Sequence, residues 1–202
     1  MGLAGSFVSE VENGTASYDA ALVERVRRRE PEALGRFFEL HFDAVYGLVF
    51  RLLGNRAMAE DATSEVFLKV HRAADRIDPG RDPKPWLMTI ATNVCRDLWR
   101  SGAWRMSRRS DSIDDDPVVA GRLTDSSASP EGAMLATERE RLVQEALMEL
   151  PEPLRTAIVL HDWQGMSHLE VAAASGIEHA AARKRYSRAL AALAKCLEGR
   201  LR

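Results

Sequence analysis

Apolar residues recur every three or four positions through most of this chain, and no stretch shows the two-residue alternation of a strand. Leu22, Val23 and Val26 line one stripe of a first helix, which must stop before Pro31; Pro31 then suits the first turn of the next helix. In that second helix Leu34, Phe37, Phe38, Phe42, Val45, Leu48, Val49 and Leu52 are predicted to face inward, and Gly54-Asn55 marks its C-terminal stop. A third helix, about Met58–Arg72, carries Ala62, Val66 and Val70 inward. The stretch DPGRDPKP, Asp78 to Pro85, reads as a loop, because three prolines and a glycine do not fit a helix interior. A fourth helix, about Trp86–Arg100, places Leu87, Ile90, Ala91, Val94 and Leu98 inward.

The rhythm then breaks. Residues 105–133 are rich in Ser, Asp, Gly and Pro and read as a linker. The linker is acidic: Asp111, Asp114, Asp115, Asp116 and Asp125 stand against Arg122 alone between 111 and 125. Helical spacing resumes near Met134 and continues through Leu142, Val143, Ala146, Leu147 and Leu150; Pro151 ends that helix, and Pro153 can open another. Residues 1–17 are small and polar and read as a disordered tail. The predicted fold is all-α: two small helical bundles, 18–104 and 134–202, joined by a flexible acidic linker over 105–133.

The second bundle ends in a predicted helix-turn-helix. Ser167-His168-Leu169-Glu170 fits a capping box, a short helix runs to Ser175, Gly176 supplies a left-handed turn residue, and Ile177 plugs the angle. The following helix, about Glu178 to Leu197, gathers Ala182, Tyr186, Ala189, Leu190 and Leu193 on one face. Lys184, Ser187, Arg188 and Lys195 lie opposite, with Arg183 and Arg185 flanking the apolar stripe. A helix that buries one side and offers cations on the other suits the DNA major groove. Arg183, Lys184, Arg185 and Arg188 are then mainly phosphate contacts, and His179 and Lys184 are the candidates for base edges. The plain alternative is a solvated basic face on a helical hairpin.

Charge supports segregation of function. The net charge of the 202 residues is only −2, yet 183–202 holds Arg183, Lys184, Arg185, Arg188, Lys195, Arg200 and Arg202 against Glu198 alone. A nucleic-acid binder without a positive excess must separate its charges in this way. No run of about 18 apolar residues suggests a membrane span, and the N-terminus lacks the basic start and apolar core of a secretory signal. The opening MGLAGS matches a myristoylation pattern that is short enough to occur by chance. Cys95 and Cys196 lie far apart with no CxxC, so neither a zinc site nor any other metal is expected, and the reading is cytoplasmic. His41, His71, His161, His168 and His179 show neither HExxH spacing nor a triad context, which argues against an enzyme, a cofactor or a small-molecule substrate.

Two segments of the first bundle also invite a chemical reading. Asp61, Glu65 and Lys69 fall at i, i+4 and i+8 on the third helix, a charged face whose bland interpretation is a row of helix salt bridges. The fourth helix and its extension combine Trp86, Trp99 and Trp104 with Arg96, Arg100, Arg105, Arg108 and Arg109, a mixture suited to single-stranded DNA. Trp86 opens the apolar stripe and is expected in the core, while the pattern leaves Trp99 and Trp104 open between core and surface. Asn93 sits mid-helix, where its amide either reads a base edge or satisfies a neighbouring carbonyl.

Taken in order, EPEALGRFFELHFDAVYGLVFRLLGNRAMAEDATSEVFLKVHRA, PWLMTIATNVCRDLWR, LPEPLRTAIVLHDWQGMS and GIEHAAARKRYSRAL resemble the bacterial sigma-70 family, specifically its small two-domain extracytoplasmic-function (ECF) group, over about Asp19 to Leu197. The resemblance implies a non-enzymatic specificity subunit that binds core RNA polymerase and directs initiation at promoter DNA. It carries Asp61 and Glu65 over as contacts to the clamp of the largest polymerase subunit. Asn93, Arg96 and Arg100 become readers of the −10 element, which includes a flipped base. His179, Arg183, Lys184, Arg185 and Arg188 become the −35 interface, while the second domain also meets the polymerase flap. The acidic linker would thread toward the active-site and RNA-exit channels, and the family implies control by an anti-sigma factor. Ser64 stands where Gln is common. His179-Ala180-Ala181-Ala182 replaces a more polar start, which shifts −35 readout toward shape and phosphates. Met166-Ser167-His168-Leu169 replaces a more aromatic and acidic turn. The competing reading is a one-component helix-turn-helix regulator that binds duplex operator DNA by itself.

Overall fold

The computed structural model describes residues 18–101 and 130–200, with side chains in the second stretch from residue 138 onward. All the regular structure among the described residues is helical. Helix α1 (Ala20–Arg27) starts where the Asp19 carboxylate accepts the Leu22 amide at 3.0 Å, and it buries Leu22, Val23 and Val26. Helix α2 (Pro31–Leu53) has Pro31 in its first turn and ends at Gly54, whose φ of +69° closes the helix in the left-handed region. Asn55 is not part of that stop: its side chain accepts the Met58 amide at 2.8 Å and so caps α3 (Arg56–Arg72), which begins two residues before the expected start. After a short 3₁₀ turn at Ala74–Arg76, α4 spans Lys84–Arg100. The expected loop therefore ends early, because Pro85 sits in the first helical turn, where its missing N–H has no intrahelical partner to lose.

The second bundle follows the same logic. Helix α5 begins at Pro130, inside the stretch predicted as linker, and runs to Glu149. Helix α6 (Glu152–Ile158) opens with Pro153 in its first turn, as expected. It continues into one wide π-type turn, Val159–Trp163, in which the Gln164 amide reaches back to the Val159 carbonyl. Helices α7 (His168–Ser175) and α8 (His179–Arg200) complete the motif.

Two expectations about burial are corrected. Phe38 is 40% and Leu190 42% exposed, so the helical stripes to which they belong are not covered along their whole width. Trp99, whose place the sequence leaves open, is buried in the core and so is no part of an aromatic surface for single-stranded DNA; Trp104, Arg105, Arg108 and Arg109 lie outside the described residues. Trp86 packs half-buried against the core.

The two bundles are clasped together. Side chains of the second donate to backbone carbonyls of α2: Gln144 to Phe50 (3.4 Å), Gln164 to Ala44 (3.2 Å) and Arg155 to Leu52. The Arg155 guanidinium is wholly buried and also donates to the Leu150 carbonyl at 3.0 Å. Two helix ends, α2 and α5, thus direct their C-terminal carbonyls at one cation, the favourable sense of the helix dipole. Arg51 lies 5.3 Å over the ring of Trp163 across the same seam.

Candidate nucleic-acid interfaces

The turn between α7 and α8 is built by local sequence. The Ser167 hydroxyl accepts the Glu170 amide (3.3 Å) and the Glu170 carboxylate accepts the Ser167 amide (2.8 Å), the reciprocal capping box the sequence predicts. Gly176, at φ +65°, ends α7, and the Ile177 amide reaches back to the Ala172 carbonyl at 3.0 Å. Helix α8 then presents His179, Arg183, Lys184 and Arg188 to solvent, while Arg185 is half-buried. Among the described residues Arg183, Lys184, Arg185 and Arg188 form no ion pair with a carboxylate, so their charge is available to an anionic partner. The inward face is made by Ala182, Ala189 and Leu193.

A cluster of rings lies under this helix. His161 and His168 stack with centroids 4.3 Å apart, and Tyr186 meets His161 edge-on at 4.4 Å. The Tyr186 hydroxyl donates to Asp162 at 2.9 Å. Burial, followed by that hydrogen bond and the carboxylate's charge, pushes the phenol up to about 12. The His168 imidazole is held below the usual histidine range, first by burial and then by the neighbouring His161, Arg183 and His179. Its Nδ1 is buried without a partner among the described residues.

On the first bundle, α4 brings Asn93, Arg96 and Arg100 to one side; Asn93 and Arg100 are exposed and Arg96 is half-buried. Arg96 donates to the Asn93 carbonyl oxygen at 2.7 Å, and its other nitrogen lies 3.4 Å from the Ala174 and Ser175 carbonyls at the end of α7. Asn93 also lines an open cavity of about 320 Å³ with Lys69, Arg72, Ala73 and Ile90. Lys69 and Arg72 share a face of α3, Ala73 caps that helix, and Ile90 and Asn93 share a face of α4, but spacing along either helix does not show that the two faces meet. From the sequence alone Lys69 belongs to a salt-bridge face and Ile90 to the core, with nothing to pair the two helices. Lys69 reaches across to Asp97 of α4 (3.4 Å).

Asp61 is exposed and Glu65 half-buried on α3, and neither forms an ion pair among the described residues. With Leu68, 52% exposed, they mark one stripe of α3 at helical spacing. Beside that helix the exposed Phe38 ring packs against Phe67 at 4.4 Å. The result is a surface of carboxylates and apolar side chains. No group of three potential metal ligands occurs among the described residues. No helix among them is long and apolar enough to cross a membrane.

Comparison with known proteins bears on both surfaces. The Sigma-70 region 2 family model matches residues 37–105, and the Sigma-70 region 4 model matches residues 140–193. RNA polymerase sigma factor CarQ of Myxococcus xanthus is 36% identical over 166 residues, covering 82% of this chain and 90% of that protein. RNA polymerase sigma-H factor of Pseudomonas aeruginosa is 30% identical over 189 residues, covering 93% and 98%. The ECF RNA polymerase sigma factor BldN of Streptomyces coelicolor is 31% identical over 180 residues, and this chain spans 64% of its length. Among solved structures, CnrH in complex with the cytosolic domain of CnrY superposes with a TM-score of 0.65 at 25% identity, covering 90% of this chain and 97% of CnrH.

Proposed function

Because this chain belongs to the extracytoplasmic-function group of sigma-70 RNA polymerase sigma factors, we propose that its two bundles divide promoter recognition between them. The protein binds core RNA polymerase and directs transcription initiation at promoters. This is not an enzyme family. The exposed, carboxylate-free row of Arg183, Lys184 and Arg188 behind a capped turn is the observation that carries the −35 assignment. In this reading residues 134–202 form the −35 domain: α8 enters the major groove, Arg183, Lys184, Arg185 and Arg188 grip phosphates, and His179 and Lys184 approach base edges.

Residues 18–104 form the −10 domain. Asn93, Arg96 and Arg100 read that element, and the cavity lined by Asn93 and Lys69 receives an unstacked base. The stripe of Asp61, Glu65 and Leu68 meets the polymerase clamp, where acidic groups provide orientation and apolar ones provide buried area. Residues 105–133 connect the two. An anti-sigma factor holds the protein inactive, as the family suggests; CnrH, solved with the cytosolic domain of CnrY, supports capture by a second protein. The site of action is the cytoplasm, where the polymerase works.

The clasped arrangement has a mechanical consequence. Elements centred about 25 base pairs apart lie roughly 85 Å apart along a duplex. Arg96, a −10 reader, here lies 3.4 Å from the end of α7, within the −35 motif. One molecule cannot contact both elements in this form, so the bundles separate when promoter and polymerase are engaged.

The test is transcription in vitro with sigma-free core polymerase across genomic fragments. Specific transcripts that require this chain are expected. Absence of transcripts together with absence of affinity for core overturns the reading, and tight binding of the free protein to one duplex would favour an operator-binding regulator.

A further inference from the structure

The N-terminal half of the helix that carries the −35 cations is held to its motif by little apolar bulk. The helix's buried positions are Ala182, Ala189 and, one turn beyond, Leu193, and Ala192, Cys196 and Leu197 pack against the core only near its far end. Methyl groups make few dispersion contacts and no directional ones, so they restrain the roll of a helix weakly. Tyr186 lies between the two alanines and differs from both. Its hydroxyl donates to Asp162 at 2.9 Å, and its ring packs against His161 at 4.4 Å and His168 at 5.0 Å. The imidazoles stack within 19° of parallel. His161 Nδ1 lies 2.7 Å from the Met166 carbonyl, which can only accept, so that nitrogen carries the proton and the ring is fixed. His161 and Asp162 belong to the wide turn after α6, His168 opens α7, and Tyr186 sits on α8. Four side chains therefore tie all three pieces of the motif together.

We propose that Tyr186, anchored on Asp162 and wedged against the His161–His168 stack, is a positioning residue that sets the roll of α8 for −35 recognition. The proposal rests on the reading that α8 enters the major groove. Arg183, Lys184, Arg185 and Arg188 all lie within three positions of Tyr186. A roll of about 20° moves a side-chain tip about 2 Å at the outer radius of a helix. Recognition groups tolerate roughly 0.5 Å. Long cations can still find a phosphate after such a shift, whereas contacts to base edges lose their geometry. Loss of the anchor therefore reduces discrimination between sequences and leaves general DNA affinity in place.

Three variants separate this from a structural role. Tyr186→Phe removes only the hydroxyl, Asp162→Ala removes its acceptor, and Asp162→Asn keeps an acceptor oxygen. Each is assembled with core polymerase. Affinity is measured for a promoter duplex recovered by transcription with the unaltered holoenzyme, and for a random-sequence duplex of equal length. Tyr186→Phe and Asp162→Ala are expected to lower the promoter-to-random ratio by about three- to tenfold, the worth of one hydrogen bond. Their combination loses no more than either alone, and Asp162→Asn retains most of the ratio. An unchanged ratio in Tyr186→Phe overturns the proposal. So does a loss in Tyr186→Phe with none in Asp162→Ala, which would make the phenol a direct DNA contact. Equal falls on both duplexes, or a melting temperature that drops in step with the ratio, overturn it as well. An unaltered holoenzyme that initiates nowhere removes the parent reading, and this proposal with it.

Discussion

Arg155 of α6 donates to the carbonyl of Leu52 at the end of α2, 103 positions earlier in the chain. A guanidinium with five donors and no access to water needs acceptors, and the ends of two helices provide them. Arg155→Met keeps much of the side chain's length but leaves these carbonyls without a donor. We expect unfolding free energy in denaturant titrations to fall by about 1–3 kcal/mol for each carbonyl left unpaired. Gln164→Ala, which breaks one weaker tie across the same seam, should increase the radius of gyration in small-angle scattering with a smaller loss of stability. If neither variant changes its radius, the clasp does not hold the bundles together.

On α8, Lys184→Ala and Arg188→Ala should each weaken −35 binding and lower the salt slope of binding by about one, the signature of one lost phosphate contact. Titrations of holoenzyme against promoter duplex at several salt concentrations read this directly. An unchanged slope would mean that another face of the helix meets DNA.

Asp61→Ala removes an exposed carboxylate that forms no ion pair among the described residues. Its melting temperature should match that of the parent, while its affinity for core polymerase falls. Retention of full affinity in a pull-down with core would move the clamp contact elsewhere.

Acid should destabilise the folded chain. Burial beside Phe37 holds the His41 imidazole below its ordinary value of 6.5, and His168 is lowered in the same sense. The unfolded chain therefore binds protons that the folded chain refuses. Stability from these two groups is complete above 6.5 and is lost progressively as pH falls from that value through the lower folded-state values. Melting temperatures at about pH 7.5 and about pH 5.5 should differ, and His41→Gln should narrow the gap. A gap unaffected by that substitution would assign the acid sensitivity to other groups.

What the sequence revealed was mostly local. The Ser167–Glu170 box, the left-handed Gly176 and the placement of Pro31 each depend on residues within a few positions of one another, and each was readable in advance. Periodicity likewise placed α1 to α4 and the buried face of α8. It could not tell which stripes a neighbour covers, so Phe38 and Leu190 were placed inside and Trp99 was left undecided. Arg155 was equally hidden: in EPLRTAI it reads as an ordinary surface cation, because its acceptors come from a distant helix. The cavity beside Asn93 needed the relative placement of α3 and α4, which spacing along either helix alone does not contain.

Gly54 stops α2 in the left-handed region, and a Cβ built there would stand 2.5 Å from the Met148 sulfur. That sulfur also lies 3.4 Å from the Arg155 guanidinium, so room for a methyl group is made only by moving Met148 off this cation. A methyl group at position 54 would therefore act as a wedge. Its backbone strain would burden every conformation alike, but its collision would burden only the shut one. A single carbon atom could in this way bias the molecule toward the spread shape without touching any surface that reads DNA.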